Sequence, residues 1–189
     1  MVEIVPVDVA GLERVVAVHN AVRPDDPTTA EELGDWRRQA EETVWLVAVA
    51  DGADAGAGIG VLGWHARPET AFVEAWTLPE ARGRGVGAAL HGELARWSAE
   101  HGCVALETVV AEDDDTSAAW AGRRGFREIG RSSQLVLDLD LVEAPTVEQP
   151  AGIEIVTWAE RPGIERDLYA VFLEGAPDIP GEEDTELPA

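Results

Sequence analysis

The 189 residues carry 37 acids against 14 bases, a formal net charge of −23 at pH 7, and every base is arginine. A surface this acidic repels nucleic acid and anionic membranes and suits a cationic substrate such as an amine, although solubility or a salty cytosol accounts for the same charge. No apolar run is long enough for a membrane span, the start Met1-Val2-Glu3-Ile4-Val5 lacks a signal peptide's basic region, and Cys103 is the only cysteine. The expectation is a cytoplasmic chain without an internal disulfide, large enough for one ordinary domain.

Residues 2–7 predict a first strand. A helix is expected over 11–22, with Leu12, Val15, Val16 and His19 at helical spacing and Pro24 and Pro27 closing it. Thr29 followed by Glu32 resembles a capping box, so a second helix is expected over 30–40. Residues 44–49 read as a strand, 51–58 as a glycine-rich turn, 59–67 as another strand, and 72–78 as a strand that Pro79 ends. A long helix opens at Val86, with Val86, Leu90, Leu94 and Trp97 on one face and Gly102 as its stop. Cys103, beside Val104-Ala105-Leu106, reads as a small core residue rather than a nucleophile. A strand over 104–110 and a short helix capped by Asp115 and running to Arg124 follow. Alternation at 134–139 places the last strand or strands within 126–141.

Residues 142–152 read as a linker, and the chain then repeats its own beginning. Val2-Glu3-Ile4-Val5 matches Ile153-Glu154-Ile155-Val156, Gly11-Leu12-Glu13-Arg14 matches Gly163-Ile164-Glu165-Arg166, and Pro24-Asp25-Asp26-Pro27 matches Pro177-Asp178-Ile179-Pro180. Residues 153–189 therefore read as a partial second repeat: a strand, a helix and a tail. Its Val156, Trp158, Leu168, Val171 and Phe172 call for cover, from the first domain or from a second subunit in a two-fold dimer.

Between the strand at 72–78 and the long helix lies Arg82-Gly83-Arg84-Gly85-Val86-Gly87-Ala88. Glycines here let the backbone approach a ligand, and the first N–H groups of a helix carry partial positive charge. Two arginines add to the preference for phosphate or pyrophosphate. Gly83-x-Gly85-x-x-Ala88 also satisfies a loose dinucleotide pattern, with Glu107 as the ribose acid. Against that, residues 79–82 separate strand from glycines, and little repeated α/β sequence follows.

Arg82-x-x-Gly85-x-Gly87 matches an Arg/Gln-x-x-Gly-x-Gly/Ala motif. With Leu78-Pro79-Glu80-Ala81 before it and Arg123-Arg124-Gly125-Phe126 downstream, the chain resembles the GNAT superfamily of N-acetyltransferases over roughly residues 2–140. The resemblance implies an α/β (α+β) fold, a mostly antiparallel sheet flanked by helices, occupying 1–141. It implies acetyl-coenzyme A as co-substrate and a primary amine of a small molecule as acceptor. Trp76, Thr77, Leu78, Arg82, Gly83, Arg84, Gly85, Val86, Gly87 and Ala88 would hold the coenzyme, with a backbone N–H near Leu78 meeting the thioester oxygen. Glu74, on the same strand, would take the amine's proton, with His65 as a second candidate base. Glu107 and Trp76 would line the acceptor pocket, and Trp36, Trp45, Trp64 and Trp76 suggest an apolar wall. The chain departs from the family pattern at Ala121, where many members carry the tyrosine that protonates the leaving thiolate, and at Asp114 and Asp115, where asparagine is frequent. These departures bear on catalysis more than on the coenzyme site, so the alternative is a weak or inactive acyl-coenzyme A-binding module with an assembly or regulatory role.

Overall fold

The strand-helix order read from the sequence emerges through α4 in a computed structural model that describes residues 1–63, 69–133, 135, 137–143 and 150–175. The elements are β1 (Val2–Pro6), α1 (Leu12–Val22), α2 (Ala30–Gln39), β2 (Glu42–Ala50), β3 (Ala53–Leu62), β4 (Thr70–Thr77), α3 (Val86–Glu100), β5 (Ala105–Glu107), α4 (Asp115–Gly122) and α5 (Glu165–Gly175). They fall into two compact units, Met1–Asp114 and Asp115–Ala189. The division lies just ahead of α4, upstream of the linker expected at 142–152. Among the described residues no helix is long and apolar enough to cross a membrane.

The first unit is a five-stranded sheet in the order β1-β2-β3-β4-β5, antiparallel except for the β4–β5 pair. Its strands alternate between two apolar faces. Trp45, Val47, Ala57, Ile59, Val61, Phe72 and Trp76 pack with Leu12, Val15, Val16 and Val18 of α1 and Leu33 of α2. Leu46, Ala48, Ala71 and Val73 pack on the other face with Val86, Leu90 and Leu94 of α3. Helix α2 begins as expected: Thr29 Oγ1 accepts from the Glu32 N–H at 3.2 Å while the Glu32 carboxylate accepts from the Thr29 N–H at 2.8 Å.

The glycines after Asp51 correct the sequence reading. Only Asp51-Gly52 forms the turn, and β3 begins at Ala53. Gly56, Gly58 and Gly60 are strand residues facing α3. A Cβ on Gly56 would meet the Trp76 carbonyl oxygen and Val86 Cγ1, each at 2.7 Å, and one on Gly60 would meet the Trp97 ring at 2.7 Å. These positions are glycine because α3 lies directly against the strand, which fixes the start of that helix beside the end of β4. Gly56→Val is expected to destabilise by about 1–3 kcal/mol through overpacking. That loss would appear as a lower urea midpoint at constant slope, and an unchanged midpoint would contradict so close an approach.

In the second unit α4 ends at a turn in which Arg124 and Phe126 N–H both donate to the Ala121 carbonyl, at 2.9 and 3.3 Å, with Gly125 at φ 88°. This left-handed position accounts for the glycine of Gly125-Phe126. The strand expected within 126–141 is not formed among the described residues. Among those residues 139–141 form a single 3₁₀ turn instead. The strand expected at 153–156 is likewise not formed; a turn in which Ile153 N–H donates to the Pro150 carbonyl leads into that segment. The helix expected after 153–156 is present as α5, and its Leu168, Tyr169, Val171 and Phe172 are exposed. Most of the expected linker and the tail beyond 175 lie outside the described residues.

Candidate active site

Strand β4 has two different edges. On one it pairs with β3 from Phe72 to Thr77, and the Leu78 N–H continues the ladder by donating to the Ala55 carbonyl at 3.1 Å. On the other it meets β5 only from Thr70 to Phe72. Successive backbone groups in a strand point to opposite sides. The Glu74, Trp76 and Leu78 amides therefore face β3, while those of Ala75 and Thr77 face the edge that β5 has left. The Thr77 carbonyl points the same way, where Arg82 Nε donates to it at 3.4 Å.

This corrects two expectations. The Leu78 amide is already engaged, so it cannot meet a thioester oxygen. The amide of Trp76 faces β3, and its ring packs in the core edge-on to His19, with ring centroids 4.8 Å apart. Neither offers a donor to a ligand at the open edge. Ala75 is the residue that sequence reasoning missed. Its side chain carries no signal, and only the register with β3 reveals the direction of its amide.

Past Leu78 a 3₁₀ turn over Pro79–Ala81 leads into the exposed loop of Arg82, Gly83, Arg84 and Gly85. Gly83 and Gly85 have φ of 73° and 86°, left-handed conformations that other residues adopt at a cost. The first α3 bond to a carbonyl of this loop is Ala89 N–H to Gly85, leaving the amides of Val86, Gly87 and Ala88 at the helix start. The Val86 side chain is buried in the core, so it can serve a ligand only through its backbone. Arg84 is ion-paired with Asp51 of the β2–β3 turn, which braces the loop.

Glu74 lies on the α1 face of β4, opposite Ile59 of β3, itself opposite Trp45 of β2. Its side chain is 15% exposed, and its Oε1 lies 3.9 Å from the guanidinium of Arg23, which is 41% exposed. Burial pushes the Glu74 carboxyl above the usual carboxylate range; Arg23 opposes that shift and Asp26 adds to it. Arg23 follows α1 and lies 3.3 Å from Asp26 Oδ2. The loop holding both is fixed by Asn20, whose amide donates to the Thr28 carbonyl at 2.9 Å and whose Oδ1 accepts from the Thr28 N–H at 2.9 Å. The same Oδ1 lies 3.0 Å from Nδ1 of buried His19. Sequence reasoning missed Arg23, Asp26 and Asn20, because nothing in their spacing ties the α1–α2 loop to β4.

Glu107 pairs in register with Phe72 and so shares the Glu74 face, as the pocket expectation requires. His65 and Trp64 lie outside the described residues. Burial pushes the Cys103 thiol up, away from nucleophilic character, in line with a core role. Ala121 is buried in α4, in the second unit, and has no proton to give.

Residues 13–126 match the model of the acetyltransferase (GNAT) family. The L-2,4-diaminobutyric acid acetyltransferase of Nocardia farcinica is 41% identical over 97 residues, and the chain spans about half the length of that curated relative, 48% of each chain being aligned. Among solved structures, an aminoglycoside 6'-N-acetyltransferase of Acinetobacter baumannii superposes with a TM-score of 0.58 at 20% identity, over 74% of this chain and 99% of its own. A Trypanosoma brucei acetyltransferase superposes with a TM-score of 0.56 at 21% identity, over 72% of this chain and 100% of its own. These two likenesses concern the fold alone. On the match across 13–126, the chain belongs to the GNAT acetyltransferase family.

Proposed function

We propose that the chain moves an acetyl group from acetyl-coenzyme A to a primary amine of a small molecule. The observation that carries this reading is Glu74, a shielded carboxylate of raised pKa on the one strand whose edge opens toward the glycine loop. Acetyl-coenzyme A would supply the acetyl group as a thioester. The exposed backbone of Arg82–Gly85 and the amides of Val86, Gly87 and Ala88 suit its pyrophosphate. An edge amide of Ala75 or Thr77 suits the thioester oxygen as it gains charge.

An amine with a pKa near ~10 is mostly protonated at neutral pH, so it must lose a proton before its nitrogen can attack. Glu74 takes that proton on a carboxylate made more basic by burial. The C–N bond forms as the C–S bond breaks, and the leaving thiolate takes its proton from solvent, since Ala121 supplies none. The activity of the Nocardia relative, on a diamino acid, supports an amine acceptor. On the same reading residues 1–141 form the acetyltransferase domain, and 153–189 a partial second repeat whose exposed apolar residues suit a second copy of the chain.

Thiol release from acetyl-coenzyme A, followed across a panel of primary amines, tests the proposal. Release that depends on the amine is the expected result. Coenzyme binding without amine-dependent release would overturn it in favour of an acyl-coenzyme A-binding module, the reading that Ala121 favours.

A further inference from the structure

Arg23 is out of place in a site built only for amines. A guanidinium 3.9 Å from the base repels any acceptor whose sole charges are positive. In a chain of net charge −23, a cation fixed beside the base is a specific feature rather than background. The loop that bears it is pinned by Asn20 to Thr28, so its root does not drift. Its partners leave it available. Glu74 is at 3.9 Å, and the Asp26 side chain is 71% exposed, so that pair competes with water and binds weakly. The planar fork of arginine fits a carboxylate through two parallel N–H···O bonds.

We propose that the acceptor carries a carboxylate beside its amines, as a diamino acid does, and that Arg23 holds that carboxylate while Glu74 meets the amine to be acetylated. This rests on the acetyltransferase reading above. The two side chains present adjacent positive and negative charges, the complement of a zwitterion. The acceptor's carboxylate takes the place of Asp26 on Arg23 and cancels the repulsion that a bare diamine meets there. Arg23 is thus a specificity-determining residue: it favours the amino acid by attraction and disfavours its decarboxylated counterpart by repulsion.

The test compares two acceptors that differ only in the carboxylate, 2,4-diaminobutyrate and 1,3-diaminopropane, with the full chain and saturating acetyl-coenzyme A. The expected preference in kcat/KM for the amino acid is about 10²-fold. Arg23→Gln should reduce it to within a few-fold, chiefly by raising KM for the amino acid, and Arg23→Lys should keep part of it. Equal use of the two acceptors by the wild-type chain overturns the proposal. So does an equal loss on both acceptors in Arg23→Gln, which would mark a structural role. If neither these acceptors nor any other amine of the panel is acetylated, the acetyltransferase reading falls, and the carboxylate site is judged separately by calorimetry on the coenzyme A complex. Tighter binding of 2,4-diaminobutyrate than of 1,3-diaminopropane, lost in Arg23→Gln, supports it; equal binding overturns it.

Discussion

Glu74→Gln is expected to lower the acetylation rate by about 10²-fold or more, the usual range for loss of a general base, while making the chain more stable. The two effects have one cause. Burial raises the Glu74 pKa, so the native state holds this proton more tightly than the unfolded chain does. The group's favourable contribution is therefore full below the unfolded pKa. It is lost as pH rises through the raised folded value, and at neutral pH the ionised carboxylate costs stability. Glutamine keeps the shape and removes the charge. A gain of about 1 kcal/mol, which is typical of a relieved functional site, would raise Tm by roughly 2–4 °C at this chain length. The wild-type gain on acidification should be smaller in the variant. Coenzyme affinity should hold, because the loop at Arg82–Gly85 does not involve the α1 face of β4. A variant with undiminished rate, or one that melts earlier than the wild type at pH 7, would remove Glu74 as a buried base.

What the sequence disclosed depended on whether a residue's role is local. The capping box at Thr29 and Glu32, the buried stripe of Val86, Leu90 and Leu94, and the glycine loop between β4 and α3 follow from neighbours within a few positions, and all were legible. Gly56 and Gly58 were misread as a turn because their meaning is tertiary, although Gly60 was read as strand. They are small to admit α3, and a strand bearing glycine on one face resembles a loop until the helix against it is known. The same limit hid the site's remaining parts. Ala75 matters through the direction of an amide set by pairing with β3, and Arg23 through a loop folded over a strand distant in sequence. The described residues within 126–141 show the converse. Period-two patterning marks a segment able to be a strand, but a strand exists only where a sheet edge accepts it.

Gly87→Val is expected to weaken coenzyme A binding by at least about 10²-fold while leaving the fold unchanged. Gly87 sits in the first turn of α3, and its φ is not positive, so valine meets no backbone strain there. Valine is also the better helix former. The cost falls on the ligand. The three amides at the helix start must touch an anion directly, and a branched side chain among them holds the pyrophosphate off. Two charge-assisted hydrogen bonds of about 1.5 kcal/mol each correspond to that loss, at 1.4 kcal/mol per factor of ten. Gly85→Ala provides the contrast. At φ 86° any Cβ is strained by roughly 1–2 kcal/mol, so this variant should lose stability along with affinity. Calorimetry and thermal melting on the two variants separate the roles: Gly85 shapes the turn and Gly87 clears the seat. Wild-type affinity in Gly87→Val would show that the anion does not rest on this helix start.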